Sequence, residues 1–415
     1  MLYWRGETRE LMPNFLANLL NFSRFKLWTR TAERVIGVDV GSSSIKVVQL
    51  RREKGQVILE TYGEMATGPY RNLAVGQAAV LPPDKLTEVT HDLFREANVT
   101  TPLASLAIPL GSSLLIIVEI PRVGPEMLAK VIPIEARKYI PVPINEVTLD
   151  WWVIPKRETY AEQDGSSPDE SKSTGLLHKA PHGSTEVMMV AIHNEAIEKY
   201  RRVASIMQFE RVFFELEVFS AMRSTLGRSM QTVLLVDIGA TTTKLAVAEF
   251  GITRFTHTIS RGSQDITVAL SKAQSVSFSA AEDAKRTSGV SGGVENAESS
   301  GGALVSGISG QKEIAVSHIA NLTLENIFGE TNTMLMQYQQ KHNVSVDSVV
   351  LIGGGALLKG LLSVAKKHID AAVTLGDPFA KIEAPAFLSP MLKEAGPEFA
   401  VAVGLALRKI QEAEA

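Results

Sequence analysis

The sequence predicts an α/β protein made of two similar halves that face each other across a cleft, with a smaller α/β unit inserted in the first half. Three observations predict it. One strand–turn–strand motif occurs twice, a glycine-rich strand end follows the second copy, and alternating strand and helix patterns fill the stretch between the copies.

The repeat comes first. Residues 36–46 read IGVDVGSSSIK and residues 234–244 read LLVDIGATTTK, without gaps and at a constant offset of 198 residues. Asp39 falls on Asp237, Gly41 on Gly239 and Lys46 on Lys244, and the hydroxyl runs Ser42–Ser43–Ser44 and Thr241–Thr242–Thr243 overlap. In each copy an apolar strand leads through a tight polar turn to a second apolar strand. A glycine turn at Gly55 or Gly251 and a further strand follow.

These turns suit phosphate. Glycine lets backbone approach an anion closely, and successive turn N–H groups make a concavity for phosphate oxygens. Ser and Thr hydroxyls add rotatable donors without bulk. An aspartate at the strand end is a hard oxygen ligand, and Mg²⁺ needs only one or two carboxylates because it keeps several waters. Two such hairpins can grip a polyphosphate from both sides.

Two further elements complete a nucleotide site. SVVLIGGGALLKG at 348–360 reads as a short strand, three glycines (Gly353, Gly354, Gly355) and a helix start, an anion-tolerant helix terminus. It is neither a dinucleotide fingerprint nor a P-loop. AEDAK at 281–285 lies on a helix predicted to begin near Ser279, with Glu282 and Lys285 three apart on one face.

Between the copies, the spacing predicts a helix over 84–97 and strands at 104–109 and 114–120. A helix near 125–139, bent at Pro133, follows, then strands at 147–154 and 186–192 and a helix over 194–208. Segments 155–184 and 287–312, rich in Ser, Gly and charge, read as loops.

Composition bounds the alternatives. The 415 residues carry 42 basic and 45 acidic side chains, a formal net charge of −3, which gives no electrostatic reason to expect nucleic acid. Zero cysteines exclude disulfides, thiol nucleophiles and cysteine-ligated metal, and the eight histidines are scattered. No secretory signal is evident, because Glu7 and Glu10 interrupt the amino terminus. Residues 13–30 alternate apolar side chains with Arg24, Lys26 and Arg30, a basic amphipathic stretch that suits a membrane surface, a partner or its own domain.

DVGSSSIK, DIGATTTK, AEDAK and LIGGGALLKG together resemble the phosphate-1, phosphate-2, adenosine-side and adenosine motifs of the actin-like ATPases, in order and spacing. Within that superfamily the chain is similar to the PilM family of type IV pilus assembly, a relative of the division protein FtsA. Glu135–Ala136 followed by Tyr139–Ile140–Pro141–Val142–Pro143 matches that family's EA..YIP.P signature. The resemblance spans about residues 34–412. It implies an actin-like (ribonuclease H-like) duplicated fold with an inserted FtsA-type 1C subdomain. The expected organisation is an extension at 1–33, the first half starting at 34–83, a docking insertion at 84–208, and the connecting helix and second half at 209–415.

Carried over residue by residue, the resemblance implies ATP and Mg²⁺. Ser42, Ser43, Ser44 and Lys46 would meet the phosphates, opposed by Gly239, Thr241, Thr242 and Lys244. Asp39 and Asp237 would hold Mg²⁺ through water. Glu282 would contact the ribose and Lys285 the adenine side, beside Gly353 to Gly355. Glu217, in ELEVFSAM, is the candidate catalytic residue, either orienting a hydrolytic water or lying on a helix surface. No arginine finger or strong base is evident, so any hydrolysis is expected to be slow.

The expected role is a cytoplasmic adaptor, peripheral at the inner membrane, that docks the tail of a PilN-like membrane protein and meets other pilus-assembly proteins, with self-association a further contact. The alternative is an FtsA-like division filament protein, against which stands the short polar end ALRKIQEAEA. A small-molecule kinase lacks an identifiable acceptor base. An actin-like chaperone lacks a following peptide-binding domain.

Overall fold

The computed structural model describes residues 34–154, 184–227, 231–290 and 308–411, with the side chains of the 308–342 helix described from residue 316. The extension 1–33, the loop expected at 155–184 (apart from Ser184) and residues 291–307 of the second expected loop lie outside the described residues.

Two five-stranded sheets form the two halves. The first has the order β3-β2-β1-β4-β8, from β1 (Arg34–Val40), β2 (Ser44–Glu53), β3 (Gln56–Ala66), β4 (Leu103–Ile108) and β8 (Arg211–Leu216). The second has the order β11-β10-β9-β12-β13, from β9 (Thr232–Ile238), β10 (Thr243–Glu249), β11 (Ile252–Ile259), β12 (Ser348–Ile352) and β13 (Ala372–Leu375). The duplication extends to fine detail. Asp39 faces Lys46 in the β1–β2 register, as Asp237 faces Lys244 in β9–β10. A bulge interrupts β2–β3 at Gln49/Leu50 and β10–β11 at Val247/Ala248, again 198 residues apart.

Alternation along β1 explains the layering of the first half. Ile36 and Val38 face the core shared with α1 (Pro83–Glu96) and α3 (Asn194–Ile206), whereas Val35 faces the core built on α9 (Ser389–Ala395) and α10 (Ala400–Gln411). Leu235, Ala246 and Ala248 of the second sheet join the first core through α4 (Glu217–Thr225) and α10. Its other face, with Leu234, Val236 and Leu245, packs on α5 (Ser263–Gln274), α6 (Phe278–Ser288), α7 (Ile308–His342) and α8 (Leu361–His368). Thus α4 and α10 cross between the sheets. They approach so closely that a Cβ on Gly404 would lie 1.8 Å from the Ser220 carbonyl oxygen.

The third sheet is the insertion. Its order is β5-β7-β6, from β5 (Ser113–Pro121), β6 (Val147–Val153) and β7 (Ser184–His193). Helix α2 (Pro125–Ala136) covers one face through Leu128, Ile132 and Ala136, packed against Val187, Met189 and Ala191. Ile140 of the YIP.P segment is buried in the same cluster. Met188 and Ile192 point the other way, into the first core.

This organisation corrects the expected boundary of the insertion at 84–208. Helix α1, strand β4 and helix α3 belong to the first half, since β4 pairs with β1 and β8 and both helices bury apolar faces on that sheet. Strand β8, expected beyond the insertion, also closes the first sheet. Among the described residues, the separate sheet consists of β5, β6 and β7. Strand and helix patterns gave the elements, but periodicity carries no information on which sheet a strand joins.

Candidate functional site

The polar turns of the two halves meet at a cleft of about 400 Å³. In both, the glycine N–H closes the turn on the third residue's carbonyl, Gly41 to Ser44 at 3.0 Å and Gly239 to Thr242 at 2.9 Å. A Cβ on either glycine would crowd that oxygen at 2.9 or 3.0 Å. The cleft wall contains Ser42, Ser43, Ser44, Gly239 and Thr242. Thr241 sits at the rim, exposed, with its hydroxyl donating to Ser42 Oγ at 3.2 Å across the cleft. Thr243 is buried away from the cleft and donates to the Arg261 carbonyl.

Asp39 and Asp237 end their strands on the cleft floor. Burial, then the neighbouring Glu217, pushes the Asp39 carboxyl up to about 7, although one side of the residue opens on the cleft. The two carboxylates share the cleft floor, a hard-oxygen donor pair that fits a hydrated divalent cation. Among the described residues no group of three or more acidic or histidine side chains forms a ready-made metal cage.

The two motif lysines differ in their partners. Lys46 Nζ contacts Glu64 at 2.8 Å, Glu398 at 3.6 Å and Ser44 Oγ at 2.7 Å. Burial opposes its charge, but these two carboxylates outweigh it and raise its pKa. Lys244 Nζ contacts Glu217 at 2.8 Å and Asp237 at 3.4 Å. Its pKa is raised against burial by the same carboxylates.

Glu217 is no helix-surface carboxylate. It opens α4 at 6% exposure and lines the cleft with both oxygens engaged, one by Lys244 and the other by the Leu110 N–H at 2.6 Å. A carboxylate so tied has little freedom to orient water.

Helix α6 starts at Phe278, capped by Ser277, whose hydroxyl accepts the Ala280 N–H. It presents Glu282 and Lys285 to the cleft as a buried pair at 2.7 Å. Glu282 also accepts from Thr267 Oγ1 at 2.6 Å and Arg286 Nε at 2.8 Å. Burial holds Lys285 below the ordinary lysine value despite this partner.

Gly353 to Gly355 line the opposite wall. Gly353 has φ +85°, and a Cβ there would lie 2.4 Å from Asp237 Oδ1, so glycine is what lets β12 end against the aspartate. The expected helix start after these glycines is corrected. They lead into a 3-10 turn at 354–357, and α8 begins only at Leu361 after Gly360 at φ +80°.

Sequence reasoning missed Glu64, Glu398, Arg286 and the strap at 67–79, all at the site. Glu64 stands opposite Lys46 in the β2–β3 register, which the Gly55 turn sets once the bulge is allowed for. Arg286 is one turn beyond Glu282, a legible ion-pair spacing. The strap hangs on Ser42 through the Ala79 N–H at 2.8 Å and crosses to the second half through the Ala78 N–H to Gln264 Oε1 at 2.6 Å. Nothing in the local sequence marks it.

Comparison with known proteins gives two family matches. Residues 37–165 match the family described as type IV pilus assembly protein PilM, and residues 234–404 match the family described as cell division protein FtsA. Among solved structures, one described as the PilM-PilN type IV pilus biogenesis complex is 22% identical, with a TM-score of 0.69. The match covers 92% of this chain and 99% of that one. The ethanolamine utilization protein EutJ from Carboxydothermus hydrogenoformans is 14% identical over 92% of each chain, TM-score 0.49. MreB 5 of Spiroplasma citri, bound to AMPPNP, is 12% identical over 92% of this chain and 98% of that one, TM-score 0.47. The likeness to the PilM-PilN structure shows that the chain shares that fold, and the resemblance read from its motifs agrees with the PilM family match over residues 37–165.

Proposed function

We propose that this chain is a nucleotide-binding adaptor of type IV pilus assembly, with Mg·ATP in the cleft and a PilN-like cytoplasmic tail docked beside the inserted sheet. The observation that carries the nucleotide is the pair of glycine–hydroxyl turns, each backed by an Asp–Lys pair, opposed across one cleft. Ser42, Ser43, Ser44, Lys46, Gly239, Thr241, Thr242 and Lys244 would bind phosphate oxygens. Glu282, Lys285 and Gly353 to Gly355 would hold the nucleoside end. Asp39 and Asp237 would hold Mg²⁺ through water, and the ion would supply charge neutralisation for the polyphosphate. With Glu217 engaged, hydrolysis is expected to be slow.

The docking part draws on the PilM family match and on a groove of about 810 Å³ beside the insertion. Strands β5 and β11, each the outer strand of its sheet, form its walls, with Tyr139 at its edge. Outer strands carry unpaired backbone donors and acceptors, which suit an extended peptide. Docking on the tail of a membrane protein would hold the chain at the inner face of the inner membrane; no helix among the described residues is long and apolar enough to cross a membrane.

Isothermal titration with a synthetic PilN-type tail, with and without Mg·ATP, tests this reading. Micromolar or tighter binding, weakened at least tenfold by Tyr139→Ala, is expected. No binding under any nucleotide condition would remove the adaptor. The FtsA match over 234–404 favours the second reading, a division filament, and ATP-dependent sedimentation without tail binding would select it.

A further inference from the structure

We infer that Glu217 is a positioning residue that transmits the occupancy of the cleft to the inserted sheet, an inference that rests on the nucleotide reading above. Its carboxylate bridges two different things. One oxygen accepts from Lys244 Nζ at 2.8 Å, and Lys244 itself stands 3.4 Å from Asp237 in the second half. The other accepts from the Leu110 N–H at 2.6 Å.

Leu110 is a strategic place to hold. It opens the 3-10 turn Leu110–Ser112, which with Pro109 makes the whole connection between β4 in the first sheet and β5 in the inserted one. The turn is buried at Leu110 and pinned from its other end, where the Ser113 hydroxyl donates to the Leu110 carbonyl at 3.0 Å. Glu217 stands at the first position of α4, the helix that crosses α10 between the two halves. The carboxylate thus touches second half, central helix and insertion hinge at once.

The coupling follows from competition for one ammonium group. A phosphate oxygen in the cleft attracts Lys244, and the attraction is strong in a site of low dielectric. As Lys244 turns toward it, Glu217 loses its one cationic partner among the described residues and keeps the Leu110 N–H. A carboxylate with one partner instead of two reseats around the partner that remains, and the 110–112 turn moves with it. The insertion is then set differently in the nucleotide-bound and nucleotide-free protein.

Backbone hydrogen exchange over residues 109–117 tests the relay in the full chain, with ATP binding measured separately by titration on each variant so that Mg·ATP saturates. In the unchanged protein, Mg·ATP should alter exchange in this segment at least threefold. Glu217→Gln keeps an acceptor for Leu110 but cannot pair with an ammonium. It should show ordinary protection without nucleotide and lose the response to Mg·ATP. Glu217→Ala should lose both protection and response. A Gln variant that responds like the unchanged protein overturns the relay, as does a protein that binds ATP without any change in 109–117. Should titration detect no ATP binding at all, the nucleotide reading falls and takes the relay with it. If the Ala variant fails to fold, the near-isosteric Gln variant decides alone.

Discussion

Lys46 illustrates how a motif residue can be present and yet engaged. Its ammonium is held by Glu64 and, more loosely, by Glu398, so a phosphate must compete with carboxylates already in place. Glu64→Gln removes the nearer competitor while keeping the shape. Releasing a partly exposed pair is worth up to about 1 kcal/mol, which corresponds to ATP affinity higher by roughly three- to fivefold. Titration calorimetry reads this directly, and unchanged or weaker binding would mean that Glu64 orients Lys46 rather than restrains it. Gly353→Ala tests the opposite wall. A Cβ at φ +85° that also meets Asp237 Oδ1 at 2.4 Å costs on the order of 1–2 kcal/mol and displaces the aspartate. ATP binding should fall at least tenfold while the chain stays folded by circular dichroism. At this scale the sequence was informative where residue type alone dictates chemistry, as for Asp39, Gly41 and the hydroxyl runs. It was silent on Glu64 and Glu398, because their part in the site comes from strand register and from a segment about 350 residues away from Lys46.

Elements were legible when a local signal bounded them. The Gly55 and Gly251 turns gave both hairpins, and the 3.6-residue spacing of Leu86, Val89 and Leu93 gave α1. Three consecutive glycines read as a helix entry after Gly355, whereas the chain first makes a 3-10 turn and starts α8 after a left-handed Gly360. Local patterns group α1, β4 and α3 with the insertion, whereas β4 pairs in the first sheet and both helices pack on it, because sheet membership is a long-range property. Two predictions belong here. Gly404→Ala would drive a methyl to 1.8 Å from the Ser220 carbonyl, where neither α10 nor α4 has room to give. Destabilisation of about 3 kcal/mol and a fall of roughly 5 °C in melting temperature are expected by scanning calorimetry. In β6, burial raises the Asp150 carboxyl to about 6 from an ordinary 3.8, partly offset by the Trp151 N–H it accepts. A carboxyl raised in the folded state destabilises the protein when charged, so stability from this site rises as pH falls through 6 and levels off below 3.8. Asp150→Asn keeps the acceptor and removes the charge. It should stabilise by about 1 kcal/mol at pH 7.5 and by nothing at pH 4, measured by urea unfolding at both.

At the scale of the molecule, the cleft is a junction between halves that are already in contact. Ser42 meets Thr241, the strap reaches Gln264, and Lys46 reaches Glu398 on the turn before α10. Its electrostatic balance is unfavourable for a bare polyanion. Among the described residues, seven carboxylates line it (Asp39, Glu64, Glu217, Asp237, Glu282, Glu394 and Glu398) against five cations (Lys46, Lys244, Lys285, Arg286 and Lys359). A nucleotide that binds the folded state and not the unfolded chain raises stability by mass action, by about 2.7 kcal/mol at a hundredfold excess over its Kd. If the carboxylates set the balance, that stabilisation requires a divalent ion to accompany the phosphates. Mg·ATP should therefore raise the melting temperature by several degrees in scanning fluorimetry. ATP with EDTA should raise it by less than a third as much, and Lys46→Met should reduce the Mg·ATP shift further. An equal shift with and without Mg²⁺ would mean that the five cations carry the phosphates unaided and that Asp39 and Asp237 hold no ion.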